Sequence, residues 1–161
     1  MTFARFAKYW MPVLIWLALI YVGSTDLMSA EHTSRFLGPF LRWLKPDITA
    51  DAIAKVQLFL RKVAHLTEYA ILAALLWRAV YSGTNLKIKI STLFVTVWAV
   101  STLIAIADEF HQSLVASRTA SIGDVRIDMI GAVVGLLICR SFTHRALRPL
   151  TNRHRKSNEW A

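Results

Sequence analysis

Long apolar runs separated by shorter polar segments dominate the pattern of this chain. The four runs are residues 9–25, 62–81, 90–107 and 122–142, and each is close to the length of about 20 residues that carries a helix across a bilayer. In lipid, a helix makes all of its backbone hydrogen bonds within itself, so it is the element that such runs adopt. The pattern predicts an all-α fold, with one polytopic membrane domain over residues 1–161 built as a four-helix bundle.

The first run has a second interpretation. Arg5 and Lys8 precede it, and Val22 and Ser24 come shortly before Thr25, which loosely fits a cleaved signal peptide. Cleavage would leave three spans and place the two termini on opposite sides of the membrane. We favour a spanning helix, because the distribution of basic residues fits four spans.

The connection after the first run, residues 26–51, mixes aromatic and basic residues. Phe36, Phe40 and Trp43 interleave with Arg and Lys, and Gly38-Pro39 interrupts the pattern. Such composition predicts an irregular segment that lies along the membrane surface.

The second run belongs to a longer predicted helix. Asp47 directly follows Pro46 and is a plausible cap for a helix that begins near Ile48 and ends near Tyr81. Within it Lys62, His65 and Glu68 recur at every third position, so they share one face of the helix. This polar face lies inside an otherwise apolar run.

Basic residues fall mainly at the ends of the apolar runs. The formal net charge is +9 and 55% of the residues are hydrophobic; in a soluble protein this charge would suggest nucleic acid, but here membrane topology explains it. We predict that both termini are cytoplasmic, because the inner side then holds eleven basic residues against one acid, Glu159. The eleven are Arg5, Lys8, Arg78, Lys87, Lys89, Arg140, Arg145, Arg148, Arg153, Arg155 and Lys156. The expected partner is therefore the lipid bilayer and not nucleic acid. The tail, residues 143–161, is predicted to be disordered, cytoplasmic and able to touch anionic lipid.

Polar side chains concentrate at the outer ends of the predicted helices. In the predicted topology His65 and Glu68, then residues 108–112, then Asp124 and Asp128 all reach the same depth. Ionisable groups at membrane depth are costly and mark a functional site by default. The single cysteine, Cys139, lies in an apolar run and cannot form an intrachain disulfide.

The fourth helix carries two further patterns. Ser121 with Asp124 three residues later resembles a capping box, which predicts a helix start near Ile122. Asp124, Asp128, Gly131 and Gly135 form one stripe on this helix. The Gly-x-x-x-Gly half of the stripe should let another helix approach closely.

These residues resemble the VanZ-like family of small bacterial membrane proteins over residues 62–137. The matching pattern is Lys62, His65, Glu68 and Tyr69, then Asp108, Glu109, Phe110, His111 and Gln112, then Arg118, Ser121, Asp124, Gly131 and Gly135. Two positions depart from it, because the family usually has Pro-Gly where this chain has Ala116-Ser117, and Asn where it has Asp128. The resemblance implies a multi-pass protein of the bacterial cytoplasmic membrane, and a named member of the family is linked to resistance to the glycopeptide teicoplanin.

Three functions are compatible with this cluster. The first is an outward-facing enzyme that acts on a lipid-linked or envelope substrate. Its acid–base candidates are Glu68, Asp108, Glu109 and His111, and Arg118 would hold a phosphate group. A variant of this hypothesis places a divalent metal among the same four candidates. The second is a binder of an amphipathic or glycopeptide ligand, and the third is a proton-coupled carrier, for which four spans leave little room. We prefer ligand binding, with catalysis, a metal and homo-oligomerisation left open. The predicted ligand-binding set is His65, Glu68, Tyr69, Asp108, Glu109, His111, Gln112, Arg118, Ser121, Asp124 and Asp128.

Overall fold

The computed structural model describes residues 2–25, 30–84, 88–116, 118 and 120–158. For residues 30–33 and 144–158 it describes the backbone only. Within the described residues the chain forms five α-helices and no strand. They are α1 (Phe3–Ser24), α2 (Ala30–Leu44), α3 (Ala50–Gly83), α4 (Ile90–Ser113) and α5 (Ile122–Asn158). The predicted all-α class is confirmed.

Three of these helices, α1, α3 and α4, are long and apolar enough to cross a membrane. This supports the predicted membrane protein. Within the described residues α5 is not among them, since it carries Asp124, Arg126 and Asp128 in its first two turns. The fourth span and the sidedness of the termini therefore stay predictions.

The connection after α1 is more regular than predicted. Part of it forms α2, a helix of 15 residues that contains both Gly38 and Pro39. Its aromatic residues Phe36, Phe40 and Trp43 recur at helical spacing, and this periodicity outweighs the local Gly-Pro signal. The three rings are exposed. The surface location predicted for this segment stays a prediction.

The long helix predicted before the second apolar run is confirmed, but its cap is not. Helix α3 runs unbroken for 34 residues, and the hydroxyl of Thr49, not Asp47, accepts a hydrogen bond from the backbone N–H of Ala52 at 3.2 Å. Asp47 lies instead in a turn that the Ile48 N–H closes on the carbonyl of Lys45 at 3.1 Å. The first turns of α3 pack against α2, where the Gln57 amide donates to Ser34 at 2.6 Å.

Two predicted helix ends are wrong. Helix α4 does not stop at residue 107 but continues through the polar residues to Ser113, because several of these side chains find partners on neighbouring helices. Helix α5 begins at Ile122 as predicted, yet continues beyond residue 142 to Asn158. Disorder was expected there, but an existing helix extends without a new nucleation step. Residues 159–161 lie outside the described part.

Helices α3 and α5 run parallel and touch backbone to backbone. A Cβ atom on Gly131 would lie 2.3 Å from the carbonyl oxygen of Leu66, and one on Gly135 would lie 2.2 Å from that of Ala70. No side chain larger than hydrogen fits at either position. The close approach predicted from the Gly-x-x-x-Gly stripe is confirmed, and α3 is the neighbour.

Helix α1 runs antiparallel to α3 and fixes the other end of the bundle. Near its start Arg5 donates to the carbonyl of Ser82 at 3.0 Å, and further along the Trp16 indole donates to the carbonyl of Glu68 at 2.9 Å. The apolar core of the bundle includes the fully buried Leu72 of α3, Leu93 of α4 and Leu136 of α5. This packing brings the C-terminal end of α1 to the polar face of α3.

Candidate functional site

Polar side chains from four helices meet at one level of the bundle. The C-terminal ends of α1 and α4 and the first turns of α5 surround the middle of α3 there. Ser24 of α1 hydrogen bonds to Asp108 of α4, and His65 of α3 hydrogen bonds to Asp128 of α5. The polar clusters predicted to lie at a common depth are therefore in mutual contact.

Asp108 is held by two neutral donors. The hydroxyl of Ser24 contacts one carboxylate oxygen, and the amide of Gln112 donates to the other at 3.2 Å. The carbonyl of Ile20 lies 3.0 Å from the same hydroxyl, whose single proton is shared between this carbonyl and Asp108. Sequence reasoning considered Ser24 only as part of a cleavage site and missed this role. Its place as a small polar residue at the end of an apolar helix was the available signal.

A polar ladder joins α3 to α5. Arg61 pairs with Asp124 at 2.8 Å, and Lys62 approaches the second oxygen of Asp124 at 3.6 Å. One turn further, the Nδ1 atom of His65 lies 3.1 Å from Asp128. The two partners of this second pair are only 5% and 1% exposed. The charge pattern of the sequence did not single out Arg61. Its position four residues before His65 nevertheless puts both side chains on one helical face.

The start of α5 is capped by Ser121, which directly precedes it, and by Glu109 of α4. The hydroxyl of Ser121 accepts from the N–H of Gly123 at 3.1 Å, as a capping residue should. The N–H of Ser121 itself donates to Glu109 of α4, which is the contact that Asp124 would make in a capping box. Asp124 is unavailable for it because Arg61 and Lys62 hold its carboxylate. The predicted capping box is thus half correct.

Arg118 joins the loop before α5 to the end of α1. Its guanidinium donates to the carbonyl of Thr25, at 3.1 Å through Nε and 2.9 Å through Nη2, and to the carbonyl of Gly23. Terminal carbonyls of a helix lack partners within it, so this contact caps α1. Asp124, the acid that follows Arg118 most closely in the sequence, pairs instead with α3.

His111 and Tyr69 lie at the edges of this cluster. The imidazole of His111 packs on the ring of Tyr21, with centroids 4.9 Å apart. Tyr69 is fully buried, and its hydroxyl has no hydrogen-bond partner among the described residues. Neither side chain borders the cavity described next.

A cavity of about 370 Å³ opens between α1, α2, α3 and α4. Its polar wall includes Glu68, Asp108 and Gln112 together with Arg61 and His65. The facing apolar wall comes from α1, α2 and α3: Leu19, Val22, Leu37 and Leu60. Of the predicted ligand-binding set, His65, Glu68, Asp108 and Gln112 line this space, whereas the remaining members do not border it.

The structure gives no support to the metal variant. In the parts of the chain that are described, no three His, Cys, Asp or Glu side chains converge closely enough to hold a metal ion. Asp108 bonds to hydroxyl and amide groups, Glu109 bonds to the start of α5, and His111 packs on an aromatic ring. Glu68 faces Gly23, so the four suggested ligands have different neighbours.

Arg118→Gln is expected to destabilise the bundle without changing ligand binding. It removes charge-assisted hydrogen bonds to the end of α1, each worth about 1.5 to 3 kcal/mol, so the midpoint of thermal unfolding in detergent should fall. The exposed Arg126 provides the control, because Arg126→Gln removes the same charge and should leave the midpoint unchanged. Equal midpoints for the two variants would contradict a capping role.

Comparison with known proteins shows which family the sequence matches. The family model described as VanZ/LLP1 matches residues 9–143, which include all the side chains of the polar cluster. Searches of curated proteins and of solved structures gave no significant match. Because the family match spans most of the sequence, the chain belongs to the VanZ/LLP1 family.

Proposed function

We propose that this protein is a multi-pass protein of the bacterial cytoplasmic membrane that binds an amphipathic ligand of the cell envelope. The single observation that carries the proposal is the cavity, which combines a polar wall on α3 and α4 with an apolar wall on α1, α2 and α3. Its volume of about 370 Å³ lies within the range of small-molecule sites, about 300 to 1,000 Å³. A ligand with a polar head and a hydrocarbon part matches both walls.

The cavity end of the bundle is proposed to face the outside. Arg5, Lys8 and Arg78 gather at the opposite end, where the two last-named charges lie 5.5 and 5.1 Å from the ring centroid of Tyr9. Basic residues at helix ends favour the cytoplasmic side. An outward site would be accessible to lipid-linked intermediates and to glycopeptides, so a contribution to glycopeptide resistance is part of this proposal.

One observation favours a second function, acid–base catalysis in a membrane-embedded hydrolase or transferase. His65 lines the cavity while Asp128 holds its Nδ1 atom at 3.1 Å. A carboxylate in this position orients an imidazole so that its other nitrogen can take or give a proton. Ligand binding is the simpler function, because it needs only the two walls.

The cavity proposal is tested by filling the space with a side chain. Gly23 lines the cavity, and a Cβ atom there would meet only a carboxylate oxygen of Glu68, at 3.8 Å. Gly23→Leu should therefore enter the cavity without displacing backbone. We expect it to reduce lipid binding at least about tenfold, since the ligand's hydrocarbon part would lose its place.

The measurement is native mass spectrometry of the full-length protein with equimolar phosphatidylethanolamine, phosphatidylglycerol and undecaprenyl phosphate. Gly38→Leu is the matched control, because a Cβ atom on Gly38 of α2 meets nothing within 4 Å. Wild-type protein and Gly38→Leu should retain at least one lipid that Gly23→Leu loses. Equal occupancy of every lipid in all three proteins would overturn the proposal.

A further inference from the structure

Several of the donors that line the cavity are directed to partners within the protein. Arg61 donates to Asp124 at 2.8 Å, and Gln57 donates to Ser34 at 2.6 Å. Ser24 and the amide nitrogen of Gln112 are both directed to Asp108. These particular donor contacts are therefore committed to the protein and not to a ligand.

The acceptors that line the cavity are in surplus. Glu68 has neither a side-chain hydrogen bond nor an ion pair with any described residue, and its carboxylate faces Gly23 across the cavity. Gln112 is 2% exposed, yet its carbonyl oxygen Oε1 has no partner in the described structure. A buried acceptor without a donor costs about 1 to 3 kcal/mol. Of these two groups, the Glu68 carboxylate borders the cavity and would be satisfied by a ligand that donates.

The charges around the cavity show the same imbalance. Asp124 is compensated by Arg61 and Lys62, and Asp128 is paired with His65. By contrast, Glu68 and Asp108 form no ion pair within the described residues. Carboxylates at membrane depth are costly unless a cation is near. His65 and Arg118 lie near enough to Glu68 to act on its charge, but their hydrogen bonds go to Asp128 and to the end of α1. A cation on the ligand would therefore be the direct partner that Glu68 and Asp108 lack.

We infer that the ligand carries an ammonium group, which Glu68 and Asp108 receive. An alkylammonium offers three N–H donors and no acceptor, as the Lys side chain does, and this matches the composition of the polar wall. Leu19, Val22, Leu37 and Leu60 then contact its hydrocarbon part. The inference rests on the proposed function, since it concerns the ligand of the same cavity.

Isothermal titration calorimetry of the full-length protein in detergent compares probes with one hydrocarbon chain and different heads. Hexylammonium should bind at least about tenfold more tightly than hexanol or hexyl phosphate, because a charge-assisted hydrogen bond contributes roughly that factor or more. Dihexanoyl phosphatidylethanolamine and ethylammonium are compared to distinguish a lipid head group from a free amine as the source of the ammonium group. Tighter binding of the lipid assigns a lipid head group, and tighter binding of ethylammonium assigns a free amine.

Glu68→Gln removes the charge but keeps the size of the side chain. It should weaken hexylammonium binding at least about tenfold and leave hexanol binding unchanged. Asp108→Asn is the second variant if Glu68→Gln does not fold. Asp51→Asn is the control, because Asp51 is exposed and pairs with Lys55 at 2.7 Å, away from the cavity.

Three results would overturn the inference, and they are distinguishable from failure of the proposed function. Equal affinity for the three hexyl probes, tighter binding of hexyl phosphate, or full hexylammonium affinity in Glu68→Gln and Asp108→Asn would each exclude an ammonium ligand. In these cases Gly23→Leu would still abolish binding and the cavity would remain the site. If no probe binds and Gly23→Leu has no effect in mass spectrometry, the proposed function itself fails.

Discussion

Gly131→Ala and Gly135→Ala are each expected to destabilise the bundle severely. The added methyl carbon would lie 2.3 Å from the carbonyl oxygen of Leu66 or 2.2 Å from that of Ala70, and backbone atoms of a packed helix cannot turn aside as a side chain can. Overpacking usually costs about 1 to 3 kcal/mol, and we expect the upper end here. A loss of about 3 kcal/mol would lower the midpoint of thermal unfolding by roughly 6 to 12 °C.

The control for this prediction is another helical glycine. Gly38→Ala adds the same methyl group to α2, where nothing lies within 4 Å of the Cβ position, so its midpoint should not fall. The measurement is circular dichroism of full-length protein in detergent during heating. If Gly131→Ala and Gly135→Ala unfold at the wild-type temperature, α3 and α5 do not approach as closely as the structure shows.

Asp128→Leu is expected to have the second large effect. Its carboxylate is 1% exposed and is paired with His65 across the interface between α3 and α5. Removing one partner of a buried pair leaves the other unpaired at a cost of about 3 to 5 kcal/mol when the pair is charged. His65→Leu should cost a similar amount. The double variant should cost less than the sum, because the two side chains form one unit.

Asp128→Asn distinguishes binding from catalysis. The amide oxygen of Asn can still accept a hydrogen bond from Nδ1 of His65, and the apparent relatives of this chain usually have Asn there. A ligand-binding role predicts a midpoint near that of the wild type and unchanged lipid occupancy in mass spectrometry. A midpoint as low as that of Asp128→Leu would contradict this, because the negative charge would then be needed for the fold.

A different result would favour the catalytic alternative. If Asp128→Asn keeps both the midpoint and lipid binding but abolishes the cellular phenotype of the protein, the carboxylate has a role beyond structure. Asp124 and Asp128 lie one turn apart on α5, and different residues of α3 compensate their charges. Arg61 and Lys62 compensate the first carboxylate and His65 pairs with the second.

Local pattern was sufficient for much of the architecture. The apolar runs predict α1, α3 and α4, and the Ser121 signal predicts the start of α5 at Ile122. The Gly-x-x-x-Gly stripe predicts a close helix contact, which Gly131 and Gly135 make. These predictions succeed because helix length, capping and the faces of one helix depend on residues near each other in the chain.

Helix ends were less predictable, because they depend on contacts with residues that are distant in the sequence. Asp108 looked like the end of an apolar run, yet α4 continues for more than a turn beyond it. The continuation depends on Ser24, which lies 84 residues earlier in the sequence and hydrogen bonds to Asp108. A membrane helix can continue through a polar residue when another helix supplies a hydrogen-bond partner for that side chain. The sequence alone does not show which residue is the partner.

By itself, the sequence determined that the chain is helical, which faces are polar and that these polar faces reach one depth. Only the tertiary structure decided that Asp124 pairs with Arg61, that Glu109 caps α5 in its place, and that Arg118 caps α1. The cavity and its uncompensated Glu68 also appear only when the helices are packed. Periodicity defines the face of each helix, but partner choice depends on the rotation and offset of neighbouring helices, which are set by packing across the whole bundle.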